Sequence, residues 1–175
     1  INTYEILRSE QKKFLENLSQ RTDINTGTLK DIRRLSMQIS ARNQISGIVE
    51  LITNGTVNAE VYIKLKSGYT IVSVITNTAV SNLNLKLGDE VVAIFKSNTV
   101  LITTDISLNI SARNKLQGKV DSINKGEINS ELIIDIGNGD KVASIITSNS
   151  IDRLNIKNGA QVSAIIKASD VMIGK

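Results

Sequence analysis

Ser40-Ala41-Arg42-Asn43-Gln44-Ile45-Ser46-Gly47 returns as Ser111-Ala112-Arg113-Asn114-Lys115-Leu116-Gln117-Gly118, and this return decides the architecture. The same shift of 71 residues lays Gly55, Gly68 and Gly88 on Gly126, Gly139 and Gly159 without a gap. Two copies of one small unit therefore follow a different N-terminal segment, and the chain divides into residues 1–38, 39–105 and 106–175. Units of this size bury little surface alone and lean on each other or on a partner chain. Only Asp105 to Ile110 separate the copies, so the spacing predicts that they are held close together.

Each copy carries the same succession of local signals. The run Ile45-Ser46-Gly47-Ile48-Val49-Glu50 alternates as a strand does, and a glycine inside it predicts a bulge or a tight barrel corner at Gly47 and Gly118. Asn54-Gly55 and Lys125-Gly126 are turn signals. A second strand follows with Val61, Ile63 and Leu65 on one face, matched by Leu132, Ile134 and Ile136. Beyond Gly68 and Gly139 a third strand covers Ile71 to Ile75 and Val142 to Ile146. Thr76 and Thr147 then fit the N-cap of a short helix. After Gly88 and Gly159 come a fourth strand, Val91 to Phe95 and Val162 to Ile166, and a fifth that closes the unit, Val100 to Ile102 and Val171 to Ile173. Five strands with one short helix between the third and fourth describe an OB-type Greek-key barrel, so the fold class is mainly β with two such barrels in tandem.

Ahead of the repeats, Tyr4, Leu7, Phe14 and Leu18 recur at helical spacing from Thr3 to Ser19, with charged residues opposite. This amphipathic helix either packs on its own domain or pairs between chains. Gln20 to Thr28 read as a loop, Thr28 or Asp31 caps a short turn through Leu35, and by Met37 the pattern is that of a strand.

Composition narrows the chemistry. Apolar residues make up 41% of the chain and aromatics only 3%, so the core is built from Ile, Val and Leu, which suits strands. There is no Cys and no His, which removes disulfides, thiol catalysis, zinc sites and every histidine-based mechanism. No glycine-rich phosphate loop and no metal-ligand spacing occur, and Glu60 and Glu131 lack a matching acidic partner in both copies, so no catalytic residues are assigned and an enzyme is not expected. The net charge of +4 is spread thinly: seven basic against five acidic residues in 1–38, five against five in 39–110, nine against seven in 111–175. Nucleic-acid-binding OB barrels stack bases on aromatic platforms, yet the first repeat offers only Tyr62, Tyr69 and Phe95 and the second has none. No apolar run reaches the length of a transmembrane helix and the polar start is not a signal peptide, so a soluble cytoplasmic protein without membrane contact is expected. The start at Ile1 suggests a piece of something longer.

Among the polar positions kept in both copies are Ser40 with Ser111, Arg42 with Arg113, Thr76 with Thr147 and Lys96 with Lys167, besides Asn58 with Asn129 and Glu60 with Glu131. The first four pairs are hydrogen-bond donors, and a hydroxyl, a guanidinium, a helix start and an ammonium together suit a small oxyanion.

Ser40 to Gly47, Gly55-Thr56-Val57-Asn58-Ala59-Glu60-Val61, Ile75-Thr76, Leu83 to Gly88 and Ala93-Ile94-Phe95-Lys96-Ser97 resemble the molybdate-binding Mop domain, also called molbindin or TOBE, across both repeats. The approach Arg33 to Gln44 is similar to the junction in molybdate-responsive transcriptional regulators of the ModE type. The resemblance implies a homodimer that binds molybdate or tungstate at interfaces between Mop units of the two chains, with Thr3 to Ser19 as the end of a dimerising region. It implies DNA contact only through an upstream winged helix-turn-helix that is not in this chain. Carried over by position, Ser40, Arg42, Lys96 and Ser97 would contact the anion, joined by Thr76 from a neighbouring unit; in the second repeat the set is Ser111, Arg113, Thr147, Ser150 and Lys167. Two places depart from the family pattern: Ala79 stands where Ser150 has its hydroxyl, and Ala168 stands where Ser97 does. A molybdate storage protein and the accessory domain of a molybdate transporter ATPase are the rival roles for the same repeats.

Overall fold

The computed structural model describes residues 39–175, so the expected helix over Thr3 to Ser19, the loop after it and the turn through Leu35 lie outside the described residues. Ala41–Lys175 form one compact unit. The first repeat supplies β1 (Asn43–Asn54), β2 (Asn58–Leu65), β3 (Thr70–Thr76), α1 (Asn77–Asn82), β4 (Glu90–Phe95) and β5 (Leu101–Thr103). The second supplies β6 (Asn114–Asn124), β7 (Asn129–Gly137), β8 (Asp140–Thr147), α2 (Ser148–Arg153), β9 (Gln161–Ile166) and β10 (Met172–Gly174). Alternation works as the pattern requires: Val61, Ile63 and Leu65 are buried while the residues between them face outward, and Leu132, Ile134 and Ile136 repeat this in β7. Both inner faces feed one continuous apolar cluster with Phe95 and Ile166 deep inside it.

Gly47 and Gly118 are needed for a close approach of two backbones. A Cβ on Gly47 would stand 2.5 Å from Ile63 Cγ2 and 2.6 Å from the Lys64 carbonyl oxygen, and one on Gly118 would collide with the Asp135 carbonyl. The bulge expected at these glycines falls just after them, between Val49 and Leu51 and between Val120 and Ser122. It increases the local twist where the strand bends over its neighbour.

The fifth strand departs from expectation. The two antiparallel sheets run β10-β4-β1-β2-β3 and β5-β9-β6-β7-β8, so each copy's last strand completes the other copy's sheet. Met172 pairs with Ile94 and Leu101 with Ile165. A 3-10 turn after β4, Ser97–Thr99, and its counterpart Ala168–Asp170 redirect the chain across.

Buried polar side chains hold the exchange. The Asn43 carboxamide donates to the Ala143 carbonyl at 2.8 Å and accepts from the Ala143 N–H at 2.7 Å, and Asn114 does the same with Val72 at 2.9 and 2.7 Å. Each amide thus mimics a rung of sheet between β1 and β8 or between β6 and β3. Ser73 Oγ donates to the Val171 carbonyl at 2.6 Å and Ser144 Oγ to the Val100 carbonyl at 2.9 Å, fixing the residues just before the exchanged strands. All four side chains are buried, so these bonds have no water to replace them.

Two outcomes follow for stability. Asn114→Ala leaves the N–H and carbonyl of Val72 buried without partners, and denaturant unfolding is expected to show a loss of about 2–4 kcal/mol. A change under ~0.5 kcal/mol would mean that the amide rung carries no weight. Residues 39–105 expressed alone have an unpaired β4 edge and a homeless β5. They should associate by exchanging β5 between copies, and a folded monomer in sedimentation would refute the dependence on exchange.

Candidate functional site

The strand entries that carry the repeated motif end at the boundary between the two copies. Asn43 is in register with Phe95, so Arg42 and Lys96 leave neighbouring strands at the same end of the sheet; Asn114 is in register with Ile166, which places Arg113 and Lys167 alike. Arg42, Lys96, Arg113 and Lys167 are exposed. Ser97 is buried at the start of its 3-10 turn. Ser111 is exposed two residues before Arg113, and Ser40 is exposed and keeps the same sequence offset from Arg42.

Thr76 and Thr147 cap their helices as expected. Thr76 Oγ1 accepts from the Ala79 N–H at 3.1 Å and Thr147 Oγ1 accepts from the Ser150 N–H at 3.2 Å. The two hydroxyls of Thr147 and Ser150 lie 2.8 Å apart, a contact that Ala79 cannot reproduce. Within its own sheet Thr76 is far from Arg42: it pairs with Asn58, beside the Asn54 end of β1, the opposite end of a strand of 12 residues from Asn43. The other copy's threonine is the near one. Asn43 bonds Ala143, and Arg42 forms an ion pair with Glu131, which stands opposite Ile145. Thr147 lies two residues further along β8 in the same direction, about 7 Å by the rise of a strand. The pseudo-symmetric set runs from Asn114 on Val72, through Arg113 on Glu60 opposite Val74, towards Thr76.

Arg42, Lys96 and Ser97 are thus grouped with Thr147 and Ser150, whereas Arg113 and Lys167 are grouped with Thr76. Both departures from the sequence pattern, Ala79 and Ala168, fall in the second group.

The arginines are already engaged across the copies. Arg42 pairs with Glu131, and Arg113 Nη1 lies 3.0 Å from Glu60 Oε1. Arg113 Nη2 also donates to Tyr62 Oη at 3.0 Å, and that hydroxyl donates to Glu60 Oε2 at 2.7 Å. The Tyr62 hydrogen bond, followed by the Glu60 charge, raises the pKa of Arg113, so it stays charged at any ordinary pH. Position 133, the counterpart of Tyr62, is Ile, so the phenol that meets Arg113 has no equivalent at that place beside Arg42.

Sequence reasoning missed the roles of Asn43, Asn114, Ser73 and Ser144, although each is kept at the same place in both copies, which is the signal that pointed to the donors. Glu60 and Glu131, which lack a matching acidic partner in sequence, are the cross-copy partners of the arginines. Among the described residues no cluster of three or more Asp or Glu could hold a metal ion. Nor is any helix among them long and apolar enough to cross a membrane.

Comparison with known proteins agrees with the repeat. The TOBE domain family model matches residues 39–102 and 110–173. The molybdenum transport protein ModE of Azotobacter vinelandii is 37% identical over 175 residues, 97% of this chain, and the chain spans 65% of that relative's length. Molybdenum-pterin-binding protein 3 of Clostridium pasteurianum is 48% identical over 66 residues, 38% of this chain and 97% of its own. The solved structure of the cytoplasmic molybdate-binding protein ModG, with molybdate bound, superposes with a TM-score of 0.76 and 42% identity, over 79% of this chain and 99% of that one. With both repeats matched almost from end to end, the chain belongs to the TOBE domain family, as a tandem pair.

Proposed function

We propose that the tandem repeats bind molybdate, or the similar tungstate, between the copies. The observation that carries this is the convergence of the Arg42–Lys96 end of one copy on the Thr147–Ser150 end of the other. A tetrahedral dianion there meets two cationic side chains and the hydroxyls of Thr147 and Ser150, and charge-assisted bonds of this kind are the strong ones. Ser40 and Ser97 belong to the same set by sequence, and Ser111, Arg113, Lys167 and Thr76 form its counterpart. A cluster of fixed donors selects by the span of the anion, so sulfate is rejected for being small and not for its charge. The likeness to molybdate-bound ModG supports the ligand. No step of this reading requires catalysis.

For the role, the reading is the sensor module of a transcriptional regulator of the ModE type, acting as a homodimer in the cytoplasm. An anion that favours one arrangement of the subunits shifts the population of a DNA-binding upstream domain. The match to the Azotobacter ModE, which runs through residues 1–38 as well as the repeats, favours this over storage or a transporter accessory domain. Three apolar positions stay exposed in both copies, Ile39 with Ile110, Val57 with Ile128 and Leu101 with Met172, and such a repeated apolar surface favours self-association.

Calorimetric titration should show binding of molybdate and tungstate with sulfate at least an order of magnitude weaker. Arg42→Ala should weaken molybdate binding roughly ten- to a hundredfold, the loss of charge-assisted hydrogen bonds. Equal affinity for sulfate, or no molybdate binding, contradicts the reading.

A further inference from the structure

The two anion positions are related by pseudo-symmetry, yet one arginine is held more firmly than the other. Arg113 spends Nη1 on Glu60 and Nη2 on Tyr62, while Tyr62 closes the ring by donating to Glu60. Its guanidinium carbon also lies 5.9 Å from the centre of the Tyr62 ring. Among the described residues Arg42 has the carboxylate of Glu131 alone, and Ile133 stands where the phenol would be. Both arginines are about half exposed, 59% for Arg42 and 48% for Arg113, so an isolated ion pair at either place is easily given up to a competing anion. A closed triangle of three hydrogen-bonding groups is not, because each member orients the other two.

We propose that the Tyr62 hydroxyl is a latch that holds Arg113 on Glu60, so that the two oxyanion positions are unequal and the Arg42 position fills first. The inference rests on the oxyanion reading above. A dianion approaching either arginine is repelled by the paired glutamate, and the guanidinium has to turn its donors from carboxylate to ligand. On the Arg42 side this breaks one partnership. On the Arg113 side it breaks two and also strips Glu60 of the cation while leaving its phenol. Tyr62 is a positioning residue here: it acts on the ligand only through Arg113.

The test uses the full chain and two readouts. In anion-free protein, nitrogen-detected NMR of the arginine side chains should show slow rotation of the Arg113 guanidinium and fast rotation of Arg42, and Tyr62→Phe should make Arg113 as mobile as Arg42. In molybdate titrations the wild type should show a stronger and a weaker step, the weaker one abolished by Arg113→Ala. Tyr62→Phe should tighten the weaker step roughly three- to tenfold, the scale of one hydrogen bond at an exposed ion pair, and leave the stronger one unchanged. Glu60→Gln, which weakens the same latch from its other side, should move the weaker step in the same direction and guards against a misfolded tyrosine variant. An unchanged or weakened second step in both variants, or an Arg113 that is already mobile in the wild type, overturns the latch. Absence of molybdate binding by a wild type whose Arg113 is immobile instead overturns the oxyanion reading, and with it the inequality of the sites.

Discussion

Everything in the described structure depends on two carboxamides. Asn43 and Asn114 each bond both backbone groups of a residue in the other copy, and they do so in the interior, where an unmade bond goes uncompensated. This geometry admits one register: a shift of either copy by a single residue would leave four buried backbone groups unpaired. The exchanged strands β5 and β10 continue the same crossing: after β4 the chain is bonded through the Val100 carbonyl to Ser144 of β8 and then joins β9. The glycines that let β1 and β6 lie hard against β2 and β7 complete the constraint by fixing how sharply each strand entry bends.

On the oxyanion reading, that interlock turns a repeated phrase into a composite site. In its own sheet Arg42 stands at one end of β1 and Thr76 near the other, so neither copy can assemble the donor set alone. Crossing the copies brings cation and hydroxyl to one boundary, twice. It also sorts the imperfections. Ala79 and Ala168 belong to different repeats, yet both lie on the Arg113 side, the side on which Tyr62 adds its bond. One position is left with every donor of the pattern, and the other with fewer hydroxyls and a better-tethered arginine. The carboxylates of Glu131 and Glu60 hold the two exposed guanidiniums of Arg42 and Arg113 in ion pairs across the copies.

Strands, turns and helix caps were legible because each rests on local chemistry: alternation in β2 and β7, glycine at Gly88, a threonine hydroxyl before α1. The tandem OB-type fold followed from those elements and from the glycine register. The exchange of β5 and β10 was not legible, because a strand of three residues reads the same whichever sheet receives it, and only the buried Ser73 and Ser144 contacts distinguish the two. Donor residues were found through their retention in both copies, a signal that by nature cannot reveal Tyr62, which has no counterpart. The pairing of Arg42 with the Thr147 side was equally hidden, since it depends on which copy's strands lie across the boundary.

The measurement that bears most directly on the interlocked site is anomalous diffraction at the molybdenum edge from crystals of the full chain grown with molybdate. A peak between the Arg42–Lys96 end of the first repeat and the Thr147–Ser150 end of the second, stronger than any peak on the Arg113 side, is the predicted result. A peak lodged within one repeat's own sheet, or none at the boundary, would contradict the account.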